Sequence, residues 1–376
     1  MVGGFEGILQ GSTPEMNEAL DDFGPGQRDL DGLVQTLATL DGEVDRAGAW
    51  PEPLWRTLVD AGVTRWALPP EFGGEPLDRS TLLARYARVA EGSLTAAFIL
   101  SQHDAGVRRL AMGMDRPVAR GWLGKIAEGQ AFATVGLSQL TTSKRHGDQA
   151  VRAEELGDGR FRIDGLVPWV TAAHRADFLV LGASTDDGRQ LLVALPSDRA
   201  GVSVRPPFAL AALQASCTAE IACDRVEVAP DEILIGPTPN VMASPSASGT
   251  GGLETSTLAL GLALAAIRGL DAEGRDNLAE PAEALRSEWQ TLWRDLLATA
   301  VEAPGSQTSA AIRGQSNALA LRATQAYLTA RKGSGFLLED PAQRWARQAL
   351  FFLVWSCPSP VANAALRDLA GLCALA

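Results

Sequence analysis

The chain has 376 residues, 46% of them hydrophobic and 21% charged, which is enough for two or three domains with substantial cores. Its 45 acidic and 33 basic side chains give a net charge of −12, which argues against a nucleic-acid partner because phosphate binding needs a basic face. Four cysteines without CxxC spacing are typical of reduced thiols in a cytoplasmic protein, and the apolar runs predict no membrane span.

The first third of the chain passes from a polar tail to a helical pattern. Residues 1–26 are rich in glycine, proline and acids, which is typical of a flexible tail. From Asp29 onward apolar residues recur every three or four positions, so residues 27–130 are predicted to form an N-terminal helical domain. Helices are predicted from Asp29, from Glu52, and over Arg79–Glu91, Leu94–Gly113 and Arg116–Ala127.

The middle of the chain has a period of two, which indicates strands. Residues 131–238 are predicted to form a β domain of the sandwich or barrel type, because short apolar segments alternate with glycine, proline and aspartate. Its predicted strands include Phe161–Ile163, Phe178–Leu181, Gln190–Val193, Val202–Val204 and Ile221–Val226.

The last third is predicted to be helical again. Residues 239–252 are rich in serine, glycine and proline and are predicted to be a linker loop. Residues 253–376 are predicted to form a C-terminal helical bundle. Its helices are expected over 254–271, Pro281–Val301, Ser309–Arg331, Asp340–Trp355 and Val361–Leu372.

A Trp-Val-Thr triplet in the β domain is the strongest local signal for a ligand. An extended segment, 160–164, is predicted to enter a turn at Gly165, and a further strand would then carry Trp169 and Thr171 on the same face. An aromatic plane beside a hydroxyl suits a flat heterocycle with polar edges. The alternative is a buried core strand with one satisfied tryptophan.

The order of helices, strands and helices resembles the acyl-CoA dehydrogenase family over about residues 28–370. This resemblance implies an α+β fold with an N-terminal helical domain, a middle β-sandwich or barrel domain, and a C-terminal four-helix bundle. Five stretches resemble family motifs in the right order: Leu68–Gly74, Ser101–His103, Gly113–Gly129, Trp169–Phe178 and Leu213–Pro230.

The resemblance implies a flavin enzyme with FAD between the β domain and the C-terminal bundle. Trp169 and Thr171 fall on positions that pack against the flavin ring, and Leu137 and Ser138 fall on positions at its edge. The implied reaction removes the α-proton of an acyl-CoA or another acyl thioester while a β-hydride passes to the flavin. The implied partners are an electron-accepting flavoprotein and further subunits, as a homo-oligomer (tetramer or dimer) or a hetero-oligomer with a related chain.

The loop that should meet the flavin pyrophosphate departs from the family. Its glycine-serine pair is absent, and the hydroxyl of Ser143 or the cation of Lys144 could take its place. The alternative is that the loop has changed because nothing binds there.

The catalytic base also departs from the common pattern. Ser356 stands where most members carry the glutamate base, and a serine hydroxyl is too weakly basic for that task. A branch resembling the isovaleryl- and long-chain enzymes carries its base seven residues before a helix glycine, and here Glu254 stands seven residues before Gly261. Thr255 replaces the arginine usual after that position. The alternative for Glu254 is an acid that only stabilises a helix start through the dipole.

Four functions therefore stay open on the sequence. The first is an FAD-dependent acyl-CoA dehydrogenase with Glu254 as base. The second is a flavin monooxygenase of the same fold, which needs no such base. The third is a non-catalytic subunit without base or flavin, and the fourth is a scaffold or binding module. The three histidines, His103, His146 and His174, are expected in core or surface roles and offer no metal site.

Overall fold

A computed structural model of the chain describes residues 28–140, 150–243, 252–355 and 357–372. The predicted tail, 1–26, and most of the predicted linker lie outside these ranges. Five helices open the described chain, and side-chain caps define two of their starts. The carboxylate of Asp78 accepts from the Thr81 N–H at 3.0 Å, and the hydroxyl of Ser93 accepts from the Ala96 N–H at 3.1 Å. The helices are α1 (Arg28–Ala47), α2 (Glu52–Asp60), α3 (Arg79–Gly92), α4 (Leu94–Met112) and α5 (Pro117–Ala127).

An eight-stranded mixed sheet follows the helices. The spatial order is β6-β7-β3-β2-β4-β5-β8, and β1 pairs in parallel with β4. Inward-facing apolar residues alternate with polar ones along β2 and β7, as expected for strands with one buried face. The strands are β1 (Ala133–Gly136), β2 (Val151–Gly157), β3 (Arg160–Val170), β4 (Phe178–Ser184), β5 (Gln190–Pro196), β6 (Val202–Val204), β7 (Ala219–Val228) and β8 (Ile233–Thr238).

The predicted turn at Gly165 is wrong. Strand β3 continues to Val170, and Gly165 forms a bulge where the register with β7 shifts. Its φ is +133°, and a Cβ there would lie 2.1 Å from the Ala150 carbonyl oxygen. The glycine therefore bends a long strand instead of ending a short one.

Five helices close the described chain, and the predicted α+β order of helices, sheet and helices is confirmed. The predicted helix over Ser309–Arg331 has those bounds, whereas the one expected to reach Trp355 ends at Leu350 in a short 3₁₀ turn, Phe351–Leu353. The helices are α6 (Leu253–Ala272), α7 (Asp276–Ala300), α8 (Ser309–Arg331), α9 (Pro341–Leu350) and α10 (Ser359–Leu369).

Helix α6 is the central helix of the fold and is buried on nearly all sides. By length and composition alone it could cross a membrane, but 89% of its most apolar window is buried inside the protein, as in the core helix of a soluble protein. The indole N–H of Trp289 in α7 donates to the Leu260 carbonyl at 2.9 Å and so anchors the neighbouring helix.

Close packing of α6 on α3 depends on Gly261. A Cβ at Gly261 would lie 2.4 Å from the Ala87 carbonyl oxygen and 2.7 Å from the Ala90 Cβ. We expect Gly261→Ala to lower the free energy of unfolding by about 1–3 kcal/mol, because the two helices must move apart. Gly314→Ala in α8 meets nothing within 4 Å and should raise it by about 0.5–1 kcal/mol through helix propensity. Urea denaturation of both variants tests the contrast, and equal stabilities would contradict it.

Candidate functional site

The end of β3 presents an exposed aromatic ring. The register with β7 shifts between Val167 and Val170, and Trp169 within this irregularity has a left-handed φ of +57°. Its side chain is 54% exposed, and its ring lies 4.7 Å from that of Phe208 between centroids. Trp169 is therefore not a core residue.

Thr171 lies beyond the end of this strand and is buried. Its hydroxyl oxygen accepts a hydrogen bond from the Thr218 hydroxyl at 3.4 Å. Its backbone carbonyl accepts a hydrogen bond from the Thr134 hydroxyl at 2.7 Å. The side chain is only 2% exposed. The prediction of a regular strand that presents Trp169 and Thr171 on one face is wrong, because the strand ends at Val170 and its alternation is already broken at Trp169.

The turn after β1 approaches the same strand end. Leu137 is buried, and Ser138 begins a short 3₁₀ turn, Ser138–Leu140. The hydroxyl of Ser138 donates to the Pro168 carbonyl at 3.2 Å, which places Ser138 beside the residue that precedes Trp169. The structure thus brings together Ser138 and Trp169, two of the predicted cofactor residues. Ser143, Lys144 and Ser356 lie outside the described residues.

Glu254 lies in the first turn of α6, as predicted, and faces α3. Its side chain is 18% exposed, and its Oε1 lies 4.0 Å from the Nη2 of Arg79 at the start of α3. Its Oε2 is buried and has no hydrogen-bond partner among the described residues. A buried acceptor without a partner is costly, so this oxygen is suited to meet a ligand.

A chain of polar side chains on α3 and α4 lies within electrostatic range of Glu254. Arg108 on α4 donates to the Tyr86 hydroxyl at 3.1 Å, and that hydroxyl donates to Asp104. Arg109 is 3% exposed and donates to the Ala105 carbonyl at 2.9 Å. Burial and the charge of Arg108 lower the pKa of Arg109 to about 10, with Glu254 opposing them. Burial also acts to lower the pKa of Arg108, but interactions with Tyr86 and Glu254 outweigh it and raise that pKa. We call Tyr86, Asp104, Arg108 and Arg109 the arginine cluster.

Residues 33–130 match the sequence model of the acyl-CoA dehydrogenase N-terminal domain. A probable acyl-CoA dehydrogenase of Bacillus subtilis is 25% identical over 60% of this chain and 60% of its own length. The short-chain specific acyl-CoA dehydrogenase of Rattus norvegicus is 22% identical over 85% of this chain and 82% of its own.

Solved structures agree on the fold. Glutaryl-coenzyme A dehydrogenase in its glutaryl-CoA complex aligns with a TM-score of 0.76 at 16% identity, covering 96% of each chain. Dibenzothiophene monooxygenase from Paenibacillus sp. A11-2 aligns with a TM-score of 0.73 at 18% identity, covering 94% of this chain and 96% of that one. Residues 33–130 are thus similar to the N-terminal domain of acyl-CoA dehydrogenases, and the chain has the fold of their solved structures. A dehydrogenase and a monooxygenase therefore share the fold of this chain.

The sequence analysis did not predict the arginine cluster. Asp104 and Arg108 are four residues apart and so share one helix face, a spacing that also occurs on solvated helix surfaces. Glu254 was predicted as a site residue because it stands at a position that resembles a family pattern. The sequence signal that could have indicated the arginine cluster was the position of charged residues next to apolar residues on α4.

Burial shifts the pKa values of two neighbouring groups on α4 in opposite directions. The Nδ1 of His103 accepts from the Ala133 N–H at 3.2 Å, and burial lowers the His103 pKa from 6.5 to about 4. Burial raises the Asp104 pKa from 3.8 to about 7. Between about pH 4 and 6.5 the folded pair holds one proton on Asp104, and the unfolded pair holds one on His103. Their effects on the pH dependence of stability therefore nearly cancel.

Single variants should reveal each contribution. Because the folded-state pKa of Asp104 is raised, the contribution of Asp104 to stability is greatest at low pH and is lost as the pH rises towards 7. Relative to wild type, Asp104→Asn should therefore gain up to about 4 kcal/mol between pH 4 and 7. The contribution of His103 to stability is present above pH 6.5 and is lost as the pH falls towards 4, because its folded-state pKa is lowered. Relative to wild type, His103→Gln should therefore gain up to about 3 kcal/mol of stability on acidification. Urea unfolding at several pH values measures both, and parallel curves for the three proteins would contradict the assignment.

Proposed function

We propose that the protein is a flavin-dependent oxidoreductase that desaturates an acyl thioester at its α and β carbons, with Glu254 as the base. The observation that supports this most is the buried Oε2 of Glu254, which has no partner among the described residues. An α-proton beside a thioester is weakly acidic, so its removal needs a carboxylate within hydrogen-bond reach. A substrate C–H placed at Oε2 would meet that requirement.

Helix geometry supports the position of this base. Glu254 and Gly261 are seven residues apart, which is about two turns, so they lie on the same face of α6. Gly261 contacts α3 through Ala87, and Glu254 approaches α3 through Arg79. The close contact at Gly261 therefore fixes the height and direction of Glu254. The same position is the base in the isovaleryl- and long-chain branch that the sequence resembles.

The residues at the end of β3 fit a planar ring, with one exception. The exposed indole of Trp169 offers an aromatic face, and the half-buried Ser138 lies beside it. Thr171 does not offer its hydroxyl to that surface, since it is buried against Thr218. Trp169 and Ser138 would hold the ring of FAD, with Leu137 packed behind them. When bound, a flavin supplies a hydride acceptor.

Trp169→Ala is expected to weaken flavin binding at least about tenfold, because a stacked aromatic face is lost. Trp169→Phe keeps an aromatic face and should lose less. Leu166→Ala removes another exposed apolar side chain of β3 and serves as the matched control. Flavin absorbance retained after gel filtration measures the effect. Equal retention by Trp169→Ala and Leu166→Ala would argue against this placement of the flavin.

A flavin monooxygenase is the second candidate. It is supported by the likeness to dibenzothiophene monooxygenase, whose TM-score is close to that of the dehydrogenase. Such an enzyme needs reduced flavin and oxygen and no α-proton base, so it leaves the position of Glu254 unexplained.

Purification followed by anaerobic titration distinguishes the candidates. Protein with bound or added FAD should lose its visible flavin absorbance when an acyl-CoA is added without oxygen. A flavin that binds and does not bleach with any acyl-CoA, and yet supports oxygen-dependent turnover once reduced, would favour the monooxygenase. A protein that binds no flavin would exclude both enzymes and leave a non-catalytic subunit or a binding module.

Electron transfer and assembly belong to the same proposal. A dehydrogenase of this kind would pass its electrons to an electron-transferring flavoprotein in the cytoplasm. Exposed apolar side chains near the C-terminus support burial against another subunit, since Phe336 is 78% exposed and Val354 is 74% exposed.

A further inference from the structure

The segment that joins β6 to β7, residues 205–218, contacts the exposed ring of Trp169. The ring centroid of Phe208 in this segment lies 4.7 Å from that of Trp169, and the two planes are tilted by 41°. Aromatic pairs at this spacing attract each other beyond the effect of their buried area. Trp169 is still 54% exposed, so Phe208 contacts the indole and leaves surface for a ligand. We call residues 205–218 the aromatic arm.

The side chain of Gln214 fixes the part of the aromatic arm that carries Phe208. Its Oε1 accepts from the Leu210 N–H at 2.6 Å, and its Nε2 donates to the Phe208 carbonyl at 2.9 Å. The Phe208 N–H donates to the Thr218 carbonyl at 2.9 Å. Both backbone polar groups of Phe208 are therefore bonded within the arm, which restricts the position of its ring.

The aromatic arm is also attached to other parts of the fold. The Nη1 of Arg347 on α9 donates to the Ala211 carbonyl at 3.0 Å, and its Nη2 lies 2.5 Å from the Oδ2 of Asp45 on α1. The Ala172 N–H, just beyond β3, donates to the Ser216 carbonyl at 2.8 Å. Helix α9 and the end of β3 thus hold the arm, and α1 holds the arginine that binds it.

The backbone of Trp169 needs such support. Its φ of +57° lies in the left-handed region, which a bulky residue occupies only where its surroundings hold it. Ala172 and two residues of the aromatic arm, Leu213 and Cys217, also have left-handed φ values, between +47° and +57°. The end of β3 and the arm are therefore two strained segments, and each is held by its contacts with the other.

We propose that Phe208 is a positioning residue for the ligand surface at Trp169: it holds the indole in one orientation for a flavin ring, and Gln214 holds Phe208. This inference rests on the proposed function, of which it uses the flavin binding and not the desaturation. A flat ligand gains most from an aromatic face that is already fixed, because little rotamer freedom is then lost on binding. Flavin affinity should therefore depend on Phe208, which acts through Trp169.

A double-variant cycle on the full chain tests this role, with FAD as the probe and its fluorescence as the measure. Phe208→Ala should weaken FAD binding about three- to tenfold, the range that an aromatic pair supports. In the Trp169→Ala background the same change should weaken binding by less than about twofold, because no indole is left to hold.

Two further variants serve as controls for the cycle. Phe208→Tyr keeps the ring and should bind FAD within about twofold of wild type. Phe72→Ala removes another half-buried ring, whose centroid lies 5.3 Å from the Arg120 guanidinium carbon on α5. It should also stay within about twofold, so a loss in Phe208→Ala alone is specific to the aromatic arm.

Hydrogen exchange gives a second readout that needs no flavin. Gln214→Ala removes the acceptor of the Leu210 N–H, so exchange at Leu210 should become about three- to tenfold faster, while β3 and β7 keep their protection. Gln214→Glu keeps an acceptor and should retain the protection of Leu210. Gln214→Ala should also weaken FAD binding, and in the Phe208→Ala background it should add less than about twofold, because both changes act through one ring.

The outcomes separate this inference from the proposed function. Unchanged FAD binding in Phe208→Ala, or losses that multiply in its combination with Trp169→Ala, would overturn the positioning role. Bleaching of the flavin by an acyl-CoA would then still support the proposed function. A coupled loss of FAD affinity without bleaching by any acyl-CoA would support the positioning role and contradict the dehydrogenase. A wild-type protein that binds no FAD would overturn both.

Discussion

Glu254→Gln is expected to slow flavin reduction by an acyl thioester about 10²–10⁴-fold, the range in which a positioned general base contributes. Glutamine has nearly the same shape and cannot accept the α-proton. The buried Oε2 of Glu254 has no partner among the described residues, so the loss should appear in the chemical step and not in flavin retention. Anaerobic stopped-flow spectroscopy at saturating substrate measures it.

Two comparisons separate a base from a structural acid. Glu280→Gln changes an exposed glutamate on α7 and should leave the rate within about twofold. Glu254→Asp keeps a carboxylate at the end of a shorter side chain and should be slower than wild type but faster than Glu254→Gln. If Glu254→Gln reduces flavin at the wild-type rate, Glu254 only stabilises the start of α6 or balances the charge of Arg79.

Arg344→Met is expected to lower the free energy of unfolding by about 3–5 kcal/mol, because it leaves a buried carboxylate without its counter-ion. The Nε of Arg344 on α9 lies 2.7 Å from the Oδ2 of Asp41 on α1, and both side chains are at most 2% exposed. The hydroxyl of Ser93, the N-cap of α4, also donates to Asp41. Asp41 therefore links α1 both to α9, through Arg344, and to the start of α4, through Ser93. Urea denaturation at pH 7 gives the difference.

The double variant Arg344→Met with Asp41→Asn is the control for this prediction. The double variant has no isolated buried charge and should recover much of the lost free energy of unfolding. A buried pair of neutral side chains is tolerated far better than one unpaired charge. Burial raises the Asp41 pKa, an effect that Arg344 opposes, so the loss in Arg344→Met should shrink as the pH falls. A double variant as unstable as the single one would show that Arg344 acts through packing alone.

The helices of this protein could be predicted from sequence because their apolar residues follow a regular period. The prediction for Ser309–Arg331 matched the structure to the residue, and the start of α6 was one residue away. Errors arose where one backbone angle decides the outcome. Glycine is typical of both turns and bulges, and only the pairing of β3 with β7 makes Gly165 a bulge.

The candidate site divides in the same way. Trp169 and Glu254 were predicted as site residues because their types and spacing resemble a family pattern. The arginine cluster was not found, since a charged residue on an amphipathic helix normally faces water. Only the packing of α4 against its neighbours in the fold buries Asp104 and Arg109. Burial is a property of the whole fold, and no local pattern contains it.

The left-handed backbone of Trp169 has a consequence for how this surface responds to change. A bulky residue at a φ of +57° costs roughly 1–3 kcal/mol relative to glycine, which adopts this angle freely. Glycine at this position would therefore relax the chain and make the fold more stable, and it would also remove the exposed ring. Selection for thermal stability alone would tend to eliminate Trp169. A stabilised variant of this protein should be checked at this residue first, because here greater stability and loss of the ligand surface result from the same substitution.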